Sequence, residues 1–305
     1  MRKSYLIFEM NYEIFHDESK KDGYWHGLLF VPEDNREKLI EQIKYIRGIN
    51  RINDTQRLDI KGVGNKKRNR QAIQMLLNFF VITLKGRIDQ ESKIIYKSNF
   101  RDDRSEYKEI KIDYLYNIKF FLLKERDGFK KMNKGLDFGQ KAKITFKFAL
   151  KGGGHYLFDK ENPINIKKIY FDGHEHYRRR IEKEKITENL TDSLREYCVI
   201  DRSFEVDDRQ RKDRQDDTKF IMDFIDNIIG SWRKVILEEK EDIMFNPIKD
   251  VFNRFKEGRI GGDKNCRWFK SFSLSECYLE NEEWHFDNFS YKRIKPENEK
   301  QQSLF

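Results

Sequence analysis

Acidic residues stand at the ends of apolar segments in separate parts of the chain. Asp17 and Glu18 follow the first apolar run, Asp172 ends a later one, and Asp226 lies in a segment of helical periodicity. Mg²⁺ and Mn²⁺ prefer carboxylate oxygens, and a pair of such ions can stabilise both the attacking and the leaving oxygen of phosphoryl transfer. The pattern therefore predicts a metal site for phosphodiester chemistry. The alternative, for any one of these residues, is an ordinary surface acid or a helix cap.

The segment around Asp226 has the clearest helical pattern of the chain. Its apolar residues recur at three- and four-residue spacing from 218 to 237. Asp223, Asp226, Asn227 and Gly230 share the other face, which predicts that this face meets solvent or a polar pocket. Glycine costs a helix interior about 1 kcal/mol relative to alanine, so Gly230 indicates a close approach to the helix backbone. A solvated face with an incidental glycine is the alternative.

Two other groups of residues could bind a metal ion. Asp172, His174 and His176 recur at every second position and could ligate zinc or manganese if the strand continued. The two histidines could instead cap a helix or lie in solvent, and His174 could donate a proton to a leaving group. A second group that could bind zinc consists of Cys266, Cys277 and His285. Their spacing is loose, and simple burial of the small thiols explains the cysteines equally well.

Apolar patterning predicts the elements that must position these residues. Strands are expected at 12–16 and 24–31, joined by a turn at Asp22-Gly23 and followed by a helix at 33–47. The later predicted elements are a strand end at 59–62, a short helix at 68–77, an apolar run at 79–84, a strand at 166–171, a charged helix at 177–194 and a strand at 196–206.

Composition limits the class of protein. A chain of 305 residues can form one large domain or two modest ones. Three cysteines without a CxxC spacing argue against a disulfide framework and for a reducing compartment. No stretch approaches the roughly 20 apolar residues of a membrane span, and the first apolar run is too short for a signal peptide. We therefore predict a cytoplasmic protein with no membrane partner.

The charge balance is basic, with 62 Lys and Arg against 53 Asp and Glu. This excess is compatible with a nucleic-acid partner, but a generally lysine-rich composition gives the same balance. Basic and aromatic residues interleave at 66–68, 178–180 and 267–270, as they do in nucleic-acid grooves. A solvated helix face explains the arginines at 178–180 equally well.

The order of these motifs resembles the domain of unknown function 3800 family. The matching segments are Asp17-Glu18-Ser19 after the first strand, residues 24–32 with the helix after them, residues 169–172 before a charged helix, and residues 222–230. The last segment corresponds to the family signature Leu-Gln-x-Ala-Asp-Leu-Ile-x-Gly. Two positions depart from the family pattern: Asp223 stands where the signature has glutamine, and Lys20 stands where a glycine is usual.

The resemblance implies an RNase H-like, metal-dependent nuclease. The residues that fall on the family's functional positions are Asp17, Glu18, Asp172, Asp226 and Lys61. It also implies a connection to mobile elements or host defence. We therefore predict an α/β fold of mixed α+β type, with an RNase H-like mixed sheet flanked by helices at residues 1–240. Residues 241–305 are predicted to be a C-terminal extension packed on that domain, with a polar tail.

In the predicted mechanism, Asp17, Asp172 and Asp226 hold Mg²⁺ or Mn²⁺, and Asp223 could add a ligand. Glu18 supports the site, and Lys61 or a nearby arginine stabilises negative charge in the transition state. The predicted partner is DNA or RNA, with a partner protein or a second copy of the chain as further candidates.

Two alternatives remain open at the level of sequence. A non-catalytic RNase H-like module that binds nucleic acid or protein is favoured if Asp226 pairs with an arginine instead of facing an open pocket. Phosphoester hydrolysis on a nucleotide or small molecule would predict a closed pocket.

Overall fold

A computed structural model describes residues 10–19, 24–64, 66–85, 92–97, 107–112, 115, 117–125, 149–150, 152–153, 156–158, 164–172, 198–207, 209, 211–237, 242–256, 271–280 and 283–288. The strands are β1 (Asn11–Ser19), β2 (Tyr24–Pro32), β3 (Ser92–Lys97), β4 (Tyr107–Ile112), β5 (Lys119–Glu125), β6 (Ile164–Phe171), β7 (Cys198–Asp207), β8 (Phe272–Glu280) and β9 (Glu283–Asn288). The helices are α1 (Arg36–Ile49), α2 (Lys67–Lys85), α3 (Thr218–Ile236) and α4 (Asn246–Lys256).

Seven of these strands form a mixed sheet in the order β7-β6-β1-β2-β5-β8-β9, while β3 and β4 pair separately. Strand β2 is antiparallel to both β1 and β5, whereas β6 and β7 continue parallel to β1. Strands β1, β5, β6, β7 and β8 consequently end at one border of the sheet. We call this border the carboxyl edge, and it lies at Ser19, Glu125, Phe171, Asp207 and Glu280.

Both faces of the central strands are covered. Phe15, Leu29 and Leu122 pack with the helices on one face, which we call the helical face. Ile14 and Phe121 belong to a second buried cluster on the other face, which we call the opposite face. Strands buried on both faces need continuous apolar runs instead of alternation, as β2 and β5 have. The prediction of a mixed sheet flanked by helices is confirmed.

The C-terminal segment takes part in the same sheet and core. Strand β8 pairs parallel to β5, and β9 pairs antiparallel to β8. Helix α4 packs against α2 and α3, with Val251 and Phe252 buried in the cluster of the helical face. The segment thus extends the sheet beyond β5.

Several predicted elements differ from the structure or lie outside it. The short helix at 68–77 and the apolar run at 79–84 form one continuous helix, α2. The strand end predicted at 59–62 is wrong, because these residues form turns whose apolar side chains pack on α3. The turn at Asp22-Gly23 and the helix at 177–194 lie outside the described residues. Among the described helices, none is long and apolar enough to cross a membrane.

Candidate functional site

Asp17 and Asp172 come from two neighbouring strands near the carboxyl edge of the sheet. Strands β1 and β6 are parallel neighbours, and His16 is in register with Phe171. The residues that follow this pair in the chain are Asp17, within β1, and Asp172, just beyond the end of β6. Asp17 is 5% exposed, and Asp172 is partly buried. The structure thus brings the backbones of two predicted metal-binding residues near each other, while the charge of Asp172 also acts on His16, which lies on the opposite face of the sheet from Asp17.

Helix α3 crosses the sheet directly over Asp17. Gly27 of β2 is the cross-strand partner of Asp17. A Cβ atom on residue 27 would lie 2.6 Å from Cδ1 of Ile229, so glycine is needed here for the helix to approach the sheet. Asp226 precedes Ile229 by about one helical turn, which places it on the helix that covers the Asp17 strand.

Asp226 is an ion-paired residue. Its Oδ2 atom lies 3.1 Å from Nη2 of Arg57, and its Oδ1 atom lies 3.8 Å from Nζ of Lys61. The Asp226 side chain is 6% exposed, whereas those of Arg57 and Lys61 are 56% and 49% exposed. Lys61 therefore lies beside Asp226. The arginine partner is the arrangement that the sequence analysis associated with a non-catalytic module.

Sequence reasoning missed Arg57, although a signal was present. Leu58 and Ile60 are almost fully buried, and the residues that alternate with them, Arg57 and Lys61, reach Asp226. An alternation of apolar and charged residues indicates an extended segment with one face on the core. Residues 57–61 pack on α3 instead of joining a sheet. Their charged side chains, Arg57 and Lys61, therefore reach Asp226 of that helix.

Residues 57–60 cover most of the polar face of α3, although Asp223 at one end of this face also lines a cleft. The Asn227 side chain donates a hydrogen bond to the carbonyl oxygen of Leu58 at 2.7 Å. A Cβ atom on residue 230 would lie 2.7 Å from Cγ2 of Ile60. The close approach predicted from Gly230 is therefore confirmed, and the approaching group is a side chain.

Asp223 holds the same covering segment in place. Its Oδ2 atom accepts a long hydrogen bond from the amide of Leu58 at 3.5 Å and lies 3.8 Å from Nη1 of Arg47. Arg47 is 1% exposed and donates from Nη2 to the carbonyl oxygens of Asn53 and Gln56. These contacts explain the carboxylate at position 223 without a metal ion. Its role as a metal ligand stays a prediction.

Glu18 lies on the opposite face of the sheet from Asp17, because successive strand residues alternate in direction. There it is in register with His26, near a buried histidine pair. Nε2 of His16 and Nδ1 of His26 are 2.8 Å apart. Burial lowers the pKa of His16 to about 4, although the charges of Glu18 and Asp172 oppose the shift. No local sequence signal marks this pair, in which His16 is uncharged at neutral pH.

Arg214 holds the strand ends next to Asp172. Its Nη2 atom donates to the carbonyl oxygen of Phe171 at 2.5 Å, and its Nη1 atom lies 2.9 Å from Oδ2 of Asp207. The guanidinium carbon also lies 5.6 Å from the centre of the Tyr170 ring. Arg214 is fully buried and joins the ends of β6 and β7. Arg214 stands in a run of mixed acidic and basic residues, and this local sequence does not indicate that its side chain is buried.

The zinc site suggested at Cys277 and His285 does not form. Cys277 is in register with Phe286, whereas His285 is in register with Tyr278. Cross-strand partners share a face and successive residues alternate, so Cys277 and His285 project from opposite faces of the sheet. The remaining predicted residues, His174, His176 and Cys266 with the basic segments 178–180 and 267–270, lie outside the described residues.

The donor chemistry of the Asp17–Asp172 pair fits a hard cation, because both side chains offer carboxylate oxygens. Asp226 is engaged by Arg57 and Lys61. Within the described part of the chain, no group of three or more His, Cys, Asp or Glu side chains is arranged to hold a metal ion. The fit is thus limited to two carboxylates, because the oxygens of Asp226 face Arg57 and Lys61.

Comparison of the chain with models of known protein families finds no match, and a search of curated protein sequences finds no similar sequence. The resemblance drawn from short motifs therefore stays a prediction.

Proposed function

We propose that the chain is a nuclease that hydrolyses phosphodiester bonds in DNA or RNA with Mg²⁺ or Mn²⁺ as its cofactor. The observation that carries the proposal is that the parallel pairing of β1 and β6 brings the backbones of Asp17 and Asp172 to the carboxyl edge, where α3, the helix of Asp226, packs on β1. Carboxyl ends of parallel strands commonly build ligand sites in α/β proteins. Three cysteines without disulfide spacing favour the cytoplasm as its location.

The strand arrangement also supports the proposal. Strands β5, β2 and β1 form an antiparallel meander, and β6 and β7 lie parallel to β1 on its other side. This arrangement resembles an RNase H-like sheet. Fold alone does not grant activity, so the proposal depends on the strand-end carboxylates and on the cations near them.

Each residue has a defined part in the proposed reaction. Asp17 and Asp172 would hold the metal ion, with Asp226, which also pairs with Arg57, as a third oxygen donor. When bound, the ion supplies a nucleophilic hydroxide and stabilises negative charge on phosphoryl oxygens. Lys61 and Arg57 are exposed cations beside these acids, positioned to stabilise the charge of a substrate phosphate. Glu18 lies on the other face and is a positioning residue at most.

A second candidate function is a non-catalytic module that binds nucleic acid. The observation that favours it is the Arg57–Asp226 ion pair, which satisfies Asp226 without a metal ion. In that case the carboxylates fix the covering segment to α3, and the exposed cations alone contact phosphates.

Cleavage of labelled single- and double-stranded DNA and RNA separates the two candidates. Wild type, Asp17→Asn and the control Asp250→Asn, an exposed acid of α4, are compared with Mg²⁺, Mn²⁺ and chelator. The nuclease proposal predicts metal-dependent cutting that falls roughly 100-fold or more in Asp17→Asn and is unchanged in the control. Folded wild type that binds these substrates but cuts none of them would favour the binding module.

A further inference from the structure

A cleft opens beside the candidate site, between residues 54–57, the short helix at 211–213 and the first turn of α3. Its volume is about 390 Å³. Four basic residues and two acidic residues line it together with Thr55 and Gln56: Arg57, Lys212, Arg214, Lys219, Asp54 and Asp223. The excess of positive side chains selects an anionic ligand.

The positive charge of the cleft comes mainly from two lysines. Lys212 is exposed and Lys219 is partly exposed, and neither forms an ion pair with another described residue. The charge of Arg214, by contrast, is matched by Asp207 at 2.9 Å. Phosphate groups are bound by ammonium groups of this kind, which can turn their three donors towards the oxygens.

The charges of the two acids of the cleft act on a buried cation, Arg47. Asp223 lies 3.8 Å from Nη1 of Arg47. The charges of Asp223 and Asp54 both counter the effect of burial, which lowers the pKa of Arg47. Since Arg47 also binds the carbonyl oxygens of Asn53 and Gln56, the wall of the cleft is fixed before any ligand arrives.

Two lining residues connect the cleft to the candidate site. Arg57 binds Asp226 at 3.1 Å, and Arg214 binds the carbonyl oxygen of Phe171, the residue before Asp172. A chain of phosphates that passes Asp17 and Asp172 can therefore place a neighbouring phosphate in the cleft. Arg57 borders both places and can contact either group.

We infer that the cleft at Arg57, Lys212 and Lys219 binds a backbone phosphate of the nucleic-acid strand whose scissile bond lies at Asp17 and Asp172. This inference rests on the proposed function for the position of the scissile bond. The phosphate site itself rests on the cleft and its lysines. A mononucleotide carries the same chemical group, so the test includes both sources.

The test is nucleic-acid binding in the presence of EDTA, where no metal-dependent cleavage occurs. Fluorescence anisotropy is measured with labelled single-stranded DNA and RNA of about 20 nucleotides, which exceeds the usual length of a single-strand binding site. The variant K212E/K219E is compared with K38E/K249E, which changes the net charge equally by replacing two lysines outside the cleft. Circular dichroism confirms that all proteins are folded.

We expect K212E/K219E to raise the Kd roughly tenfold or more near physiological salt and to lower the salt dependence of log Kd by about 1 to 2. The control should stay within roughly twofold of wild type. Competition with adenosine monophosphate and with pyrophosphate identifies the source, because small phosphates displace the oligonucleotide from a site that takes mononucleotides. A strand-binding site is competed only by unlabelled oligonucleotide.

Equal binding by K212E/K219E and wild type, equal losses in both double variants, or no binding by wild type would each overturn the inference. Failure of the proposed function can be distinguished from failure of this inference. If wild type binds through these lysines but does not cut with Mn²⁺, the phosphate site stands and the nuclease proposal falls. If wild type cuts and K212E/K219E binds normally, only the inference is lost.

Discussion

Asp207 at the end of β7 and Glu125 at the end of β5 are both buried at the carboxyl edge, but their surroundings differ. Burial raises the pKa of Asp207, yet hydrogen bonds from Arg209 and the charge of Arg214 bring it down to about 2. Burial raises the pKa of Glu125 to about 8, and neither of its carboxyl oxygens has a hydrogen-bond partner among the described residues. One carboxyl group is ionised at neutral pH and the other is protonated.

The difference separates a charged half of the carboxyl edge from a neutral half. On the side of β6 and β7, arginines from the 209–214 segment compensate buried negative charge next to Asp172. On the side of β5 and β8, Glu125 lies next to Cys277, whose thiol pKa is also raised by burial. A site for a cation or a phosphate reaction needs the charged half, whereas the neutral half limits stability at higher pH.

The largest expected effect comes from removing the buried arginine of the charged half. Arg214→Met should lower the free energy of unfolding by about 3–5 kcal/mol, because Asp207 keeps a buried charge and Phe171 loses a donor. The control is Arg209→Met, which removes a partly exposed partner of the same carboxylate and should cost about 1 kcal/mol or less. Urea unfolding measures both, and equal losses would contradict the assignment of Arg214 as the buried support.

The next effect concerns the neutral half and depends on pH. The pKa of Glu125 is about 8 in the folded chain and roughly 4.3 in an unfolded one. The unfolded state therefore releases a proton first, and stability falls as pH rises between these values. Glu125→Gln removes this loss, so the variant should gain up to about 1.4 kcal/mol over wild type per pH unit.

Urea unfolding of wild type and Glu125→Gln at several values between pH 5 and pH 8 provides the measurement. The free energies of unfolding of the two proteins should diverge as the pH rises towards about 8. A constant difference across the whole range would show that Glu125 is ionised in the folded chain, and the contrast with Asp207 would disappear.

The smallest expected effect tests the packing of residues 57–60 on α3. Gly230→Ala gains about 1 kcal/mol of helix propensity but places a Cβ atom 2.7 Å from Ile60. Overpacking costs about 1–3 kcal/mol, so a net loss of roughly 1 kcal/mol is expected. Gly48→Ala in α1, where a Cβ atom meets nothing within 4 Å, should be neutral or stabilising. Thermal unfolding compares the pair, and a stabilised Gly230→Ala would mean that Ile60 yields without cost.

The parts of this picture that sequence could give were those with a strong local signal. The apolar runs of β1 and β2 and the periodicity of α3 predicted their elements, and Gly230 predicted a close contact. The partner of Asp226 could not be predicted, because Arg57 is 169 residues away in sequence and any of many basic residues could have filled the role. Arg214 and the pair His16–His26 were likewise hidden, since their burial follows from strand register and chain crossing, which local patterns do not encode.

The most direct test of the central claim compares the two halves of the carboxyl edge in one assay. Single-turnover cleavage of labelled nucleic acid with Mn²⁺ is measured for wild type, Asp172→Asn and Glu125→Gln, all assayed at the same pH. The account predicts that Asp172→Asn loses roughly 100-fold or more of the rate, while Glu125→Gln keeps the wild-type rate. Equal rates in the two variants, or full activity in Asp172→Asn, would contradict the assignment of the reaction to Asp17 and Asp172.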